Sequence, residues 1–140
     1  MALQGNSDRF FLIGQSKESP ANEDVLTEDV DIVTLDEFCF AREIEKVNYL
    51  KIDTEGEDLE VLRGGENMLK EQRIDFVEVE AGMHAGNKRH VSFEALKDYL
   101  ESRSYLLFGI YGQVHEWPTK EPHLRRTNPV FVSRRMIGRA

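Results

Sequence analysis

Short apolar runs alternate along this chain with segments in which apolar residues recur every three or four positions. Side chains change face at every residue of a strand and share a face every three or four residues of a helix, so the pattern predicts alternating strands and helices. The predicted strands lie at residues 10–13, 30–33, 47–53, 74–80, 105–111 and 128–133. The polar residues 15–29 are predicted to form a loop.

Each predicted helix has a recognisable start or interruption. Residues 34–37 (TLDE) match a capping box and predict a helix that ends near Lys46. The side of this helix expected to pack inward carries Leu35, Phe38 and Ile44. The helix after Gly56 is expected to bend or break at Gly64-Gly65, because glycine weakens helix interiors. Ser92 is predicted to cap the last helix.

The order of elements predicts an α/β domain with a mostly parallel sheet. No helix is predicted between the last two strands, so the final strand is expected to run antiparallel. We interpret the 140 residues as a single domain with an N-terminal arm and loop (1–29), an αβ core (30–134) and a tail (135–140).

Composition and charge argue against several classes of function and against some cellular compartments. The net charge of −8 argues against general nucleic-acid binding, which needs a positive field. Basic residues concentrate from Lys120 onward, which we interpret as a solvated chain end, with an anion or nucleic-acid patch as the alternative. Cys39 is the single cysteine, no apolar run reaches the about 18 residues of a membrane span, and the first residues do not resemble a secretory signal. We therefore expect a cytoplasmic protein without membrane contact.

Four short motifs occur in order: TLDEF (34–38), LKIDTEGED (50–58), VLRG (61–64) and VEVE (77–80). Together they resemble the FkbM methyltransferase family, over about residues 30–132. The resemblance implies a Rossmann-like methyltransferase fold and S-adenosylmethionine as the cofactor. It also implies methyl transfer to a hydroxyl group of a small molecule or sugar.

Family members begin with a strand and a Gly-rich turn that hold the cofactor, and nothing before Val30 matches that pattern. We therefore expect a domain that is incomplete at its N-terminus and inactive as this fragment alone, and we assign no cofactor-binding residue. A non-catalytic remnant or an assembly or binding module with the same fold is the alternative. The strand at 47–53 would then have an unpaired edge, which predicts a homo-oligomer or a partner chain that covers it.

Candidate site residues follow the predicted strand ends, where open α/β sheets bind ligands. Asp53, Glu80 and His84 are the catalytic candidates, with Asp53 or His84 as the general base that takes the hydroxyl proton. Glu55 and Trp117 are candidates for the substrate side. The alternative for the acidic residues is capping of the next helix, whose N-terminus favours negative charge. We predict no metal site, the alternative being a divalent cation held by the carboxylates and His84.

Overall fold

The computed structural model describes residues 2–6, 9–13, 27–29, 31–115 and 122–138. They belong to two compact units, residues 1–33 and 34–140. Trp117 and most of the predicted loop at 15–29 lie outside the described residues.

The N-terminal unit contains a small antiparallel sheet. Strands β1 (Ala2–Asn6) and β2 (Arg9–Ile13) pair as a hairpin, and β3 (Thr27–Asp29) pairs with the other edge of β1. The strand predicted at 10–13 is confirmed. The loop prediction is wrong at β3, whose sequence TED has no apolar pattern and pairs through its backbone. The predicted strand at 30–33 is also wrong, because residues 31–33 have no regular structure.

The second unit alternates helices and strands, which confirms the α/β prediction. Its elements are α1 (Leu35–Ala41), β4 (Val47–Lys51), α2 (Asp58–Gly64), α3 (Glu66–Lys70), β5 (Ile74–Glu78), β6 (Ala81–Gly82), α4 (Phe93–Glu101), β7 (Tyr105–His115), β8 (Leu124–Ser133) and α5 (Arg134–Ile137). The short elements β6 and α5 were not predicted, and α5 occupies part of the expected tail.

One strand of this sheet runs against all the others. β4 pairs in parallel with β5, whereas β8 pairs antiparallel with β5, β6 and β7. The predicted antiparallel last strand is therefore confirmed. Because β8 lies between β5 and β7, β4–β5 is the single parallel pair of strands within the described part of the chain, and the pairing of the sheet is mixed. Since β8 alone is reversed, the strand directions agree with the predicted mostly parallel sheet with an antiparallel last strand. Among the described strands, β4 lies at the edge of the sheet.

The core lies between the sheet and the helices. Its fully buried side chains include Leu62, Leu69, Val77, Leu96, Leu100, Tyr105 and Phe131. The Tyr105 hydroxyl donates a hydrogen bond to the Ile74 carbonyl at 2.7 Å, and burial raises the pKa of this tyrosine. Among the described residues, no helix has both the length and the apolar character required to span a membrane.

Local helix signals were predicted better than helix ends. The Thr34 hydroxyl accepts from the Glu37 amide at 3.2 Å and the Glu37 carboxylate accepts from the Thr34 amide at 2.9 Å, which confirms the capping box. The predicted break is also confirmed, since α2 ends at Gly64 and α3 begins at Glu66. However, α1 ends at Ala41 rather than near Lys46, and Phe38 is exposed rather than packed inward.

Candidate functional site

The carboxyl ends of β4 and β5 lie side by side. Parallel pairing aligns Lys51 with Glu78, so the residues that follow the two strands meet at one end of the sheet. This is the end at which ligands bind in open α/β sheets. The candidates Asp53, Glu55 and Glu80 all follow these two strand ends, as predicted.

The buried carboxylate of Asp58 fixes the turn after β4. Its Oδ2 accepts from the Thr54 hydroxyl at 2.9 Å, and its Oδ1 accepts from the Glu80 amide at 3.0 Å. The same turn requires glycine at position 56. Gly56 has a φ of 113°, and a Cβ there would lie 2.3 Å from the Arg89 carbonyl oxygen. The turn therefore packs closely on the segment that carries Arg89 and holds Glu55 near Glu80.

Five side chains, which we name the Glu80 cluster, meet at this end of the sheet: Glu55, Glu80, Arg89, His90 and Arg126. The Glu80 side chain is 7% exposed; its Oε2 lies 2.9 Å from His90 Nε2, and its Oε1 accepts a hydrogen bond from Arg126. Glu55 Oε2 lies 2.7 Å from Arg89 Nε and 4.0 Å from His90 Nε2. Three of these residues, Glu55, Glu80 and His90, present possible metal-ligand atoms within 4.8 Å of one another.

Hydrogen bonds to Asn87 define the orientation of the His90 ring. Asn87 Oδ1 accepts from the backbone amides of Arg89 and His90 at 3.1 and 3.3 Å, and Asn87 Nδ2 donates to the Arg125 carbonyl at 3.1 Å. The same Oδ1 lies 3.0 Å from His90 Nδ1. Because this oxygen can only accept, Nδ1 carries a hydrogen and Nε2 faces the two glutamates.

The remaining predicted residues lie in different surroundings. The side chain of Asp53 is 46% exposed, and its carboxylate pairs with Lys51 Nζ at 3.2 Å. The exposed His84 accepts from the Gly86 amide at 3.0 Å, and its ring lies on that of His123 with 4.4 Å between centroids. Trp117 is outside the described residues. The structure thus brings Glu55 and Glu80 together, and their histidine partner is His90.

Sequence reasoning missed the partners that reach this site from more distant segments. Arg126 reaches Glu80 because β8 pairs with β6, placing it opposite Gly82. His90 lies two residues before the Ser92 cap of α4. It does not directly follow a predicted strand, so the rule that pointed to Asp53 and Glu55 at a strand end did not identify it.

A second feature of the sheet is an aromatic cleft of about 360 Å³. Its lining residues are Tyr49, Phe76, Glu78, Phe108, Tyr111 and Val130. Phe76 alternates with the buried Val77, so the cleft lies on the sheet face opposite the core. Tyr49 donates a hydrogen bond to Glu78, which raises the pKa of the tyrosine to about 12. Tyr49 and Phe108 remain 50% and 60% exposed.

A family model matches most of the chain. The family model described as the methyltransferase FkbM domain matches residues 2–107. This range begins well before Val30 and so includes the N-terminal arm, which the sequence motifs had left outside the resemblance. No curated protein and no solved structure matches the chain.

Proposed function

Because the chain belongs to the FkbM methyltransferase family, we propose that it is an S-adenosylmethionine-dependent O-methyltransferase acting on a hydroxyl group of a small molecule or sugar. The family match over residues 2–107 carries this proposal. The strand order β4-β5-β8-β7, with β8 alone reversed, supports a Rossmann-like arrangement of the sheet. The Glu80 cluster and Asp53 lie where such sheets bind ligands.

The proposed chemistry needs a base on the acceptor side. A bond forms between the acceptor oxygen and the methyl carbon, the carbon–sulfur bond breaks, and the hydroxyl proton passes to a base. S-adenosylmethionine, when bound, supplies the methyl group. Asp53, His84 and Glu55 belong to the acceptor side in this proposal, and we assign no residue to the cofactor. Asp53 is the proposed base because its carboxylate is exposed at the end of β4. His84 is the second candidate, since its ring is also exposed.

The other candidate residues have positioning roles in this proposal. Glu80 is buried and bound to His90 and Arg126, so it shapes the site rather than taking the substrate proton. Glu55, whose side chain is partly exposed, is the proposed substrate-side residue. Trp117, the other candidate for the substrate side, lies outside the described residues. In this proposal the exposed carboxylate of Asp53 takes the proton, while the buried Glu80 and His90 form the fixed part of the site.

Labelled S-adenosylmethionine and a panel of hydroxylated acceptors test the proposal. We expect Asp53→Asn to lower the rate by about 100-fold or more, because the amide cannot accept the proton, while the fold is retained. Glu60→Gln, which changes an exposed glutamate of α2, is the matched control and should retain the wild-type rate. Full activity of Asp53→Asn together with a large loss in His84→Asn would transfer the role of base to His84.

A non-catalytic assembly module is the second candidate function. The position of β4 at the sheet edge and the exposed aromatic side chains of Tyr49 and Phe108 favour it, because an open strand edge and apolar surface promote pairing. The partner we propose is a second copy of the chain. Calorimetric titration with S-adenosylmethionine separates the two candidates. Saturable binding supports the enzyme, and a folded chain that does not bind the cofactor supports the assembly module.

A further inference from the structure

We propose that Glu55, Glu80 and His90 form a binding site for a divalent transition-metal ion with the ligand preferences of zinc. Each residue offers one ligand atom, and the three atoms lie within 4.8 Å of one another. The site was not predicted from the sequence, in which His84 was the histidine considered. Metal binding can be measured directly, so this proposal does not rest on the proposed methyl transfer.

The ring of His90 supplies the first argument. Its side chain is 3% exposed, and its Nδ1–H is directed to Asn87 Oδ1. In the neutral imidazole this leaves a lone pair on Nε2, which points at Glu80 Oε2 from 2.9 Å. Two acceptors at that distance require a cation between them, either a proton or a metal ion. An imidazole whose other nitrogen donates to an oxygen is the usual arrangement of a metal-bound histidine.

The distances between the ligand atoms supply the second argument. Zinc bonds to nitrogen and oxygen of about 2.0–2.2 Å, at tetrahedral angles, place ligand atoms about 3.3 Å apart. His90 Nε2 lies 2.9 Å from Glu80 Oε2 and 4.0 Å from Glu55 Oε2, and these distances bracket that value. Glu55 is the partly exposed member, so its side chain can adjust without disturbing the core.

The donor set indicates the class of ion. One imidazole and two carboxylates suit zinc and its neighbours, whereas magnesium and calcium favour oxygen ligands alone. Three protein ligands leave a fourth position of a tetrahedral ion open, as in catalytic rather than structural zinc sites. An acceptor hydroxyl bound at that position would become more acidic.

Arg89 and Arg126 are the competing cations at this site. Arg126 occupies Glu80 Oε1 and leaves Oε2 facing His90, so it orients this carboxylate. Arg89 pairs with Glu55 Oε2, an atom that the metal would use, so it weakens binding. Replacing Arg89 should therefore tighten metal binding if the site is real. If the cluster is only an ion-pair network, the same change should lower the free energy of unfolding and produce no metal binding.

The test uses the full chain after treatment with a chelator. Zn²⁺ is titrated by calorimetry, and Co²⁺ is followed by its visible absorption, which reports nitrogen and oxygen coordination. We expect one ion per chain in the wild type. His90→Asn keeps a donor toward Asn87 and removes the Nε2 ligand, and Glu55→Gln changes the partly exposed ligand. Each of these two variants should weaken metal binding by about tenfold or more. Asn87→Ala, which removes the partner of His90 Nδ1, should weaken it by about 10- to 100-fold. Arg89→Gln should strengthen metal binding.

His84→Asn is the matched control, because the ring of His84 contacts that of His123 and is not part of the Glu80 cluster. This variant should bind the ion like the wild type. The proposal is overturned if the folded wild type shows no saturable binding, if His90→Asn and Glu55→Gln both bind as tightly as the wild type, or if His84→Asn alone loses binding. Circular dichroism identifies any variant that fails to fold. If a variant does not fold, the Co²⁺ spectrum of the wild type decides whether the site binds a metal ion. Cofactor titration with and without Zn²⁺ separates failure of this site from failure of the proposed methyl transfer.

Discussion

At the scale of single residues, Glu66 is the carboxylate whose pKa departs furthest from its ordinary value within the described part of the chain, and it lies outside the candidate site. It accepts hydrogen bonds from Arg103 Nε at 2.8 Å and from the Tyr99 hydroxyl at 2.6 Å, and pairs with Lys70 at 2.8 Å. These contacts, chiefly the hydrogen bond from Arg103, lower the pKa of Glu66 to about 2. The Arg103 guanidinium also stacks on the Tyr99 ring at 3.5 Å. The large pKa shift therefore reflects a structural contact between α3, α4 and the residues after α4.

This contact predicts how stability depends on pH. The pKa of Glu66 is lower in the folded state than its ordinary value near 4.5, so its contribution is complete above that value and is lost as pH falls towards about 2. Glu66→Gln should be less stable than the wild type at pH 7, and the difference should shrink as pH falls. Urea denaturation at several pH values measures it, with the exposed Glu45→Gln as control. A difference that stays constant down to pH 3 would show that the charge of Glu66 contributes nothing.

At the scale of elements, α1 is attached to the start of α3 by one side chain. The two carboxylate oxygens of Asp36 accept from the amides of Asn67 and Met68 at 2.9 and 3.0 Å. They satisfy amide groups that the first turn of α3 leaves without helical partners. The packing is close, since a Cβ on Gly65 would lie 2.7 Å from Leu35 Cδ2. The glycine thus both interrupts the helix and makes room for α1.

Removing this cap should destabilise the second unit. We expect Asp36→Ala to lower the free energy of unfolding by about 1 kcal/mol, the usual value of a lost helix cap. Asp36→Asn keeps one acceptor oxygen and should lose less. Urea denaturation of the three proteins measures the order of stability. Equal stability of the alanine variant and the wild type would contradict the capping role.

Local patterns predicted the elements that local chemistry determines. The capping box at Thr34, the break after Gly64 and the Ser92 cap are all encoded within a few residues, and all three are confirmed. Asp36 and Arg126 could not be assigned in this way, because their partners lie 31 or more residues away and meet them only through packing or strand register. Choosing between two histidines six residues apart also required the fold, since the loop around them has no periodic pattern.

At the scale of the whole molecule, two opposing effects act on association. The net charge of −8 makes copies of the chain repel one another. Among the described strands β4 lies at the edge of the sheet, beside the aromatic cleft, and unpaired backbone groups next to apolar surface would favour the proposed pairing. At 0.1 M salt, charges more than about 10 Å apart are largely screened, so the repulsion weakens. Salt does not weaken the apolar contribution to association. Association should therefore strengthen as salt concentration rises, which distinguishes it from an interface held by ion pairs.

Sedimentation velocity at increasing protein and salt concentrations tests this proposed self-association. The mean mass should rise with both variables in the wild type. Tyr49→Lys and Phe108→Lys place a charge in the aromatic cleft and should keep the chain monomeric. Phe40→Lys is the matched control, because Phe40 is an 88% exposed aromatic residue on α1 that does not line the cleft, so its replacement should leave association unchanged. A wild type that remains monomeric at every concentration would rule out the β4 edge as a pairing surface. Equal loss of association in all three variants would show that the aromatic cleft is not specifically responsible.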